Sequence, residues 1–140
     1  MKLAITAIFL ALIFPSASVA SDGKAGALEL VLANLSGSSV DFSNGQLKTG
    51  STSMKGPLTI TVSDSKNATL DTGIVTLNGY LLGVVGEQVS FYFEAEKAVW
   101  TITCYSRFGI GFVAVHSDAS EYGGARSLNL HGACELREAN

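Results

Sequence analysis

Residues 88–117 read QVSFYFEAEKAVWTITCYSRFGIGFVAVHS and contain four of the seven phenylalanines and the only tryptophan of the chain. Their apolar side chains recur mostly at every second position, which is the period of a β-strand. Phe91 and Phe93 share one face of a first strand, and Ile102 and Cys104 share one face of a second. This stretch therefore predicts a strand followed by a hairpin at the core of the fold.

The same alternation extends outside this stretch. Residues 57–63, PLTITVS, place Leu, Ile and Val on one face and Thr and Ser on the other. Residues 27–34 and 40–42 are also predicted as strands, whereas the polar segments 47–56 and 64–72 are predicted as loops. About eight or nine short strands at this spacing predict an all-β fold, a small antiparallel β-sandwich or barrel.

Three turns are predicted from residue type. Ser43–Gly45 is a tight turn, because Asn and Gly accept positive φ. Asn78-Gly79 predicts a two-residue hairpin between two apolar segments. A two-residue turn at Ser106-Arg107 would place Cys104 opposite Gly109 on the next strand, so that a small residue faces a large one.

The first twenty residues have the composition of a secretory signal peptide. Lys2 precedes an apolar run, Pro15 ends it, and small side chains lead to Ala20. The apolar run is shorter than the roughly 20 residues that span a bilayer, so cleavage is favoured over anchoring. The sequence predicts residues 1–20 as signal peptide and 21–140 as one secreted β domain, extracellular or, in a bacterium, periplasmic.

The charge of the mature part excludes some partners. After cleavage the chain has eight Lys and Arg residues and twelve Asp and Glu residues, and no run of basic residues occurs. Nucleic acid and anionic lipid both require a basic patch, so neither is predicted as a partner. No transmembrane segment is predicted in the mature chain, and no glycine-rich phosphate loop or nucleophile elbow indicates a cofactor or a catalytic nucleophile.

Cys104 and Cys134 are the only cysteines in the sequence. In an exported chain they are expected to pair, and no metal-binding spacing of the C-x-x-C kind competes with that interpretation. Asn34 and Asn67 each begin an Asn-x-Ser/Thr triplet. They are possible N-glycosylation sites if the source organism glycosylates its secreted proteins.

His116, Asp118 and Glu121 form the one place where an imidazole and carboxylates gather in the sequence. Such a group could orient a general base or bind a metal, but the spacing matches no known metal motif. A solvent-exposed histidine at a strand end is the favoured interpretation, and no metal is predicted. Glu94 and Glu96 are interpreted as a solvated charged turn, although two carboxylates would also suit a glycosidase.

Aromatic side chains supply the remaining candidates for binding. Tyr105, Phe108 and Phe112 are predicted on the face opposite Trp100, and Tyr92 opposite Phe91 and Phe93. A second layer covering this face is slightly favoured over exposure. An exposed aromatic strip would suit a sugar, a protein partner or self-association. The candidate binding residues are Tyr92, Tyr105, Phe108, Phe112, His116 and Asp118.

These observations favour a secreted, non-catalytic binding or interaction module, such as a small effector, a lectin-like protein or a surface protein, with an unidentified protein or carbohydrate ligand. The first alternative is an extracellular hydrolase or metal-dependent enzyme that uses His116, Asp118 and Glu121. The second is a membrane-active or self-assembling β protein.

Overall fold

The computed structural model of the chain describes residues 28–119 and 124–138. These residues form nine β-strands, which confirms the predicted all-β fold. The predicted signal peptide and Glu121 lie outside the described residues. The strands are β1 (Leu28–Ser43), β2 (Gln46–Ser53), β3 (Leu58–Val62), β4 (Asn67–Asp71), β5 (Thr76–Val85), β6 (Gln88–Ala95), β7 (Ala98–Tyr105), β8 (Ile110–Ala119) and β9 (Gly124–Glu138).

The sheet is a closed barrel rather than a sandwich. From β3 to β9 each strand pairs antiparallel with the next along the chain, and β9 pairs with β1 to close the circle. Because β1 also pairs with β3, each of these eight strands has a neighbouring strand on both sides. β2 is a ninth strand added beside β1.

β1 is long enough to hold two partners on the same edge. Its first residues pair with β3, from Leu28 to Leu32, and residues 36–43 pair with β2. Between them the pairing with β9 shifts at a β-bulge, where Asn34 has a φ of 56°. A bulge adds one residue to one strand and bends it. β1 therefore extends past the closed barrel and carries β2 as a hairpin.

Hydrophobic side chains fill the barrel interior. The alternation predicted for β6 is observed, since Phe91 and Phe93 are buried and Tyr92 between them is only half-buried. Val113 and Ile102 point into the same core from neighbouring strands. Among the described residues every buried side chain is hydrophobic, so the core contains no buried polar site.

The predicted disulfide forms inside the barrel and joins β7 to β9 across β8. Two strand spacings in a flat sheet amount to about 10 Å, whereas Cys104 and Cys134 have Cα atoms only 6.1 Å apart. The barrel wall is therefore sharply curved at this point. Gly111 of β8 faces Cys104, and a Cβ there would lie 2.5 Å from Leu32 Cδ2 and 3.2 Å from Cys134 Cβ. The absence of a side chain at Gly111 makes room for the bond.

The predicted hairpin at Asn78-Gly79 is wrong, because β5 runs straight through both residues. Gly79 pairs with Ala68 on one side and Phe93 on the other. A Cβ on Gly79 would lie 2.1 Å from the carbonyl oxygen of Tyr92. Gly79 is needed here because it has no side chain to obstruct β6, and not because its φ is positive. Two-residue turn geometry occurs at Asn44 and Gly45, as predicted, with φ of 51° and 73°.

The turn between β7 and β8 differs from the predicted one. Four residues, 106–109, connect the strands, and Gly109 takes a φ of 62°. The register is therefore shifted by two residues, and Cys104 faces Gly111 rather than Gly109. The principle that a glycine faces the bridged cysteine holds, but the sequence did not reveal which glycine.

Two segments predicted as loops contain strands. β2 (QLKTGSTS) is mostly Ser, Thr and Gly with one apolar residue, and β4 (NATLD) is a five-residue strand with only two apolar residues, Ala68 and Leu70. β4 still buries Ala68 and Leu70 in the core. β2 buries no residue and exists through its backbone pairing with β1. Hydrophobic periodicity cannot detect a strand of this second kind.

Candidate functional site

Hydrophobic side chains of the described residues fill the barrel interior. An enclosed apolar space of about 20 Å³ lies at the disulfide end, between Leu30, Phe91 and Cys104. A volume of roughly 10–15 Å³ is needed for one water molecule, so this space holds little more than that. The larger groove and the exposed aromatic side chains lie on the outside of the barrel.

An exposed aromatic strip lies on the outer face at the disulfide end. We define it as Tyr105, Phe108, Ile110 and Phe112, from β7, the following turn and β8. Phe108, Ile110 and Phe112 are 65%, 42% and 49% exposed. The strand period explains the strip, because Tyr105 and Phe112 alternate with Cys104 and Gly111, which face inward. The favoured prediction of a covering layer is therefore wrong within the described chain.

Contacts within the strip hold its rings in place. Tyr105 and Phe112 meet edge to face, with ring centroids 5.9 Å apart. The guanidinium carbon of Arg107 lies 5.9 Å from the centroid of Phe108. Both are favourable arrangements of an aromatic quadrupole. Arg107 also lies 3.6 Å from the Glu87 carboxylate, so its charge is compensated locally.

Neutral polar side chains border the strip on the same outer face. Phe112 pairs with Thr103 on β7 and with His131 on β9. Thr103 Oγ1 lies 2.9 Å from Ser90 Oγ, which also accepts a hydrogen bond from Gln88 Nε2 at 3.2 Å. These groups can donate and accept hydrogen bonds beside the exposed rings. His131 is exposed at this border.

Tyr92 is separate from the strip. It packs against Tyr80, with ring centroids 5.2 Å apart, and its direct partner on β7 is Thr101. Desolvation first, then the neighbouring Glu94 carboxylate and Tyr80, raise the pKa of Tyr92 above its ordinary value of 10.0. The predicted set of aromatic residues therefore divides into two places on the surface.

His116 and Asp118 lie at the other end of the barrel, in an open groove of about 550 Å³ that we call the rim groove. Phe42 and Val99 supply apolar parts of its lining, and Glu94 and Glu96 are also at its wall. The register explains the convergence, since Glu94, Val99 and His116 are successive partners across β6, β7 and β8. The groove gathers more carboxylates than the His-x-Asp spacing alone predicts.

One polar contact in the rim groove was not predicted from the sequence. Ser127 Oγ lies 3.1 Å from His116 Nδ1, and the two residues are direct partners across β8 and β9. Only the strand register brings them together, and no local spacing signals it. A serine beside an imidazole resembles half of a hydrolytic triad, but it is also an ordinary cross-strand hydrogen bond.

The described residues do not form a metal site. No group of three or more His, Cys, Asp or Glu side chains that could hold a metal ion occurs within residues 28–119 and 124–138. Glu121, the third member of the predicted cluster, lies outside these residues. Of the residues predicted for the enzyme alternative, His116 and Asp118 are therefore described, and Ser127 adds a hydroxyl group beside His116.

Both possible glycosylation sites are on the surface. Asn34 is at the bulge of β1, and Asn67 begins β4. Asn67 Nδ2 donates to Asp64 Oδ2 at 2.7 Å. The backbone N–H and side-chain amide of Asn67, followed by the backbone N–H of Lys66, hold the pKa of Asp64 below 3.8. The Asn67 side chain is thus engaged in the turn that precedes β4.

Comparisons with known proteins returned no relative. A scan against protein-family models, a search of curated proteins and a search of solved structures each found no match to this chain. In the part of the chain that the structure describes, no helix is long and apolar enough to cross a membrane.

Proposed function

We propose that this protein is a secreted, non-catalytic binding module, and that its ligand is a neutral polysaccharide held on the aromatic strip. The observation that carries the proposal is a row of exposed rings bordered by hydroxyl groups, on the outside of a barrel whose interior is filled. Export is supported by the composition of residues 1–20 and by a buried disulfide, which is typical of proteins in oxidising compartments.

The chemistry of the strip favours a sugar over a charged ligand. A pyranose ring has an apolar face of C–H groups and a rim of hydroxyls. The C–H face can pack on the exposed rings of Phe108 and Phe112. The sugar hydroxyls can form hydrogen bonds with Thr103, Ser90 and His131. Arg107, the charged side chain that contacts Phe108, is paired with Glu87. A neutral chain would therefore lose little solvation of charged groups on binding.

The proposal predicts that Phe112→Ala lowers polysaccharide affinity by about tenfold, because an aromatic contact and its buried area contribute roughly 1–2 kcal/mol. Phe42→Ala is the matched control, since Phe42 and Phe112 are both 49% exposed on the outer face but at opposite ends of the barrel. Pull-down on insoluble cellulose, chitin and β-glucan, followed by titration with soluble oligosaccharides, measures the effect.

Several outcomes would contradict the proposal. Retention on none of the polysaccharides, or equal loss in both variants, removes the strip as a sugar site. Loss only in Phe42→Ala moves the site to the rim groove. Binding to phosphatidylcholine vesicles with leakage, in place of sugar binding, would replace the proposal by a membrane-active function.

A second candidate function rests on the contact between Ser127 Oγ and His116 Nδ1 in the rim groove. An extracellular hydrolase would use His116 as general base. If the binding function is correct, p-nitrophenyl acetate and p-nitrophenyl glycosides are cleaved no faster by the natural protein than by His116→Ala. Turnover that falls by a factor of about a hundred or more in both His116→Ala and Ser127→Ala would instead establish the enzyme.

A further inference from the structure

β2 has an open edge that the barrel does not cover. It pairs with β1 on one side, and no other strand of the described residues pairs with it. Seven of its eight residues are exposed, with Thr52 half-buried. An open strand edge offers a row of backbone donors and acceptors to another strand. Natural edges are usually interrupted by bulges, prolines or several charges, and β2 has only Lys48.

The turn between β1 and β2 determines which backbone groups face outward. In a two-residue hairpin the flanking residues, here Ser43 and Gln46, form a hydrogen-bonded pair. Hydrogen-bonded and non-hydrogen-bonded pairs then alternate along the ladder. The backbone N–H and C=O groups of four residues consequently point away from β1, namely Leu47, Thr49, Ser51 and Ser53.

We propose that this edge pairs with the same edge of a second copy, so that two barrels join through one continuous antiparallel sheet. A two-fold axis at Gly50 pairs Leu47 with the partner's Ser53 and Thr49 with the partner's Ser51. All four outward-facing residues of each strand are then satisfied, which gives about eight backbone hydrogen bonds across the interface.

Charge and space select this register. It places Lys48 opposite the partner's Thr52, whereas a shift that centres the axis on Lys48 would place two like charges face to face. The partner's Asn44-Gly45 turn falls beside Lys55 and Gly56, before the point at which β4 begins to pair with β3 at Thr59. Over Gln46–Ser53, the length that the partner strand needs, no described strand other than β1 pairs with β2.

The first test compares three chains by light scattering after size-exclusion chromatography over a hundredfold range of concentration. The natural protein is expected to be dimeric at the higher concentrations. Thr49→Pro removes an outward N–H without touching the β1 ladder, because proline is accepted where the N–H faces solvent, and it is expected to be monomeric with an unchanged circular dichroism spectrum. Thr49→Ala keeps the N–H and is expected to remain dimeric.

The second test examines the register. Gly50 faces its own copy in a non-hydrogen-bonded pair, where Cα atoms are about 4.5 Å apart, close enough for a disulfide. Gly50→Cys is expected to form a covalent dimer under mild oxidation, while Ser51→Cys, which faces the partner's Thr49, is not. A monomer at every concentration, a dimer that survives Thr49→Pro, or cross-linking in Ser51→Cys instead of Gly50→Cys would overturn the proposal. None of these readouts depends on the aromatic strip or on polysaccharide binding.

Discussion

Replacing Phe93 by alanine is expected to lower the free energy of unfolding by about 3–5 kcal/mol, the usual cost of removing a buried phenylalanine side chain. Phe93 is fully buried, stacks with Phe91 at a centroid distance of 6.2 Å, and lies in a core whose described side chains are all hydrophobic. The cavity left behind has rigid barrel walls on every side, because the strands are linked by hydrogen bonds around the whole circle. Relaxation to fill it is therefore limited.

Urea unfolding followed by fluorescence of Trp100, which packs against this core, measures the effect. Phe112→Ala is the control, because Phe112 is on the outer face, and its unfolding free energy should change by less than about 1 kcal/mol. If the two substitutions cost the same, the assignment of inner and outer faces along β6 and β8 is wrong.

Removing the disulfide through the double substitution Cys104→Ala and Cys134→Ala is expected to cost roughly 3–4 kcal/mol. The bond joins residues 30 apart in sequence, and its loss frees that loop in the unfolded chain. Both substitutions are made together, because a single one would leave a buried free thiol in the place of a bridge. The midpoint of urea unfolding of the double variant, compared with that of the oxidised protein, gives the value.

A companion experiment separates the role of the bond from that of the packing. Both cysteines are at most 5% exposed, so dithiothreitol should leave the folded protein oxidised and act only after urea opens the barrel. Rapid reduction of the native protein would show that this end of the barrel opens easily. A double variant as stable as the oxidised protein would contradict the predicted contribution of the bridge.

Apolar alternation was sufficient to predict the fold class. Phe91 and Phe93 were placed together on one face of their strand from their spacing alone, as were Ile102 and Cys104, and all four are buried. The two cysteines were paired from the predicted compartment, and they are bonded. These features depend on residue type and local period, which a single sequence contains.

The errors have a different physical origin. Gly79 was interpreted as a turn residue, but its role is to admit the backbone of β6, the next strand along the chain, at Tyr92 and Phe93. Gly111 was missed as the residue opposite Cys104 because one turn is two residues longer than predicted. β2 was missed because its pairing is carried by the backbone alone. For Gly79 and β2 the deciding feature is pairing with a neighbouring strand, and for Gly111 it is the length of a turn; residue type and local period encode neither.

For the candidate sites too, residue type was predictable from the sequence, but spatial arrangement depended on strand pairing. The aromatic residues of the strip were identified from the sequence, but their exposure depends on whether another layer covers them, which only the barrel closure decides. His116 and Asp118 were identified together, whereas Ser127 and the nearby Glu94 required the strand register. The candidate residues could therefore be identified from the sequence, whereas their arrangement into sites could not.

The most direct test of the proposed binding function is an amide chemical-shift map of the protein during titration with whichever oligosaccharide the pull-down identifies. We predict that the largest shift changes cluster at Tyr105, Phe112 and His131, with the amides of Phe42 and His116 unchanged. Shift changes that centre on the rim groove would contradict ligand binding on the aromatic strip. Shift changes that spread through the buried core around Phe91 would contradict a filled barrel with its ligand on the outside.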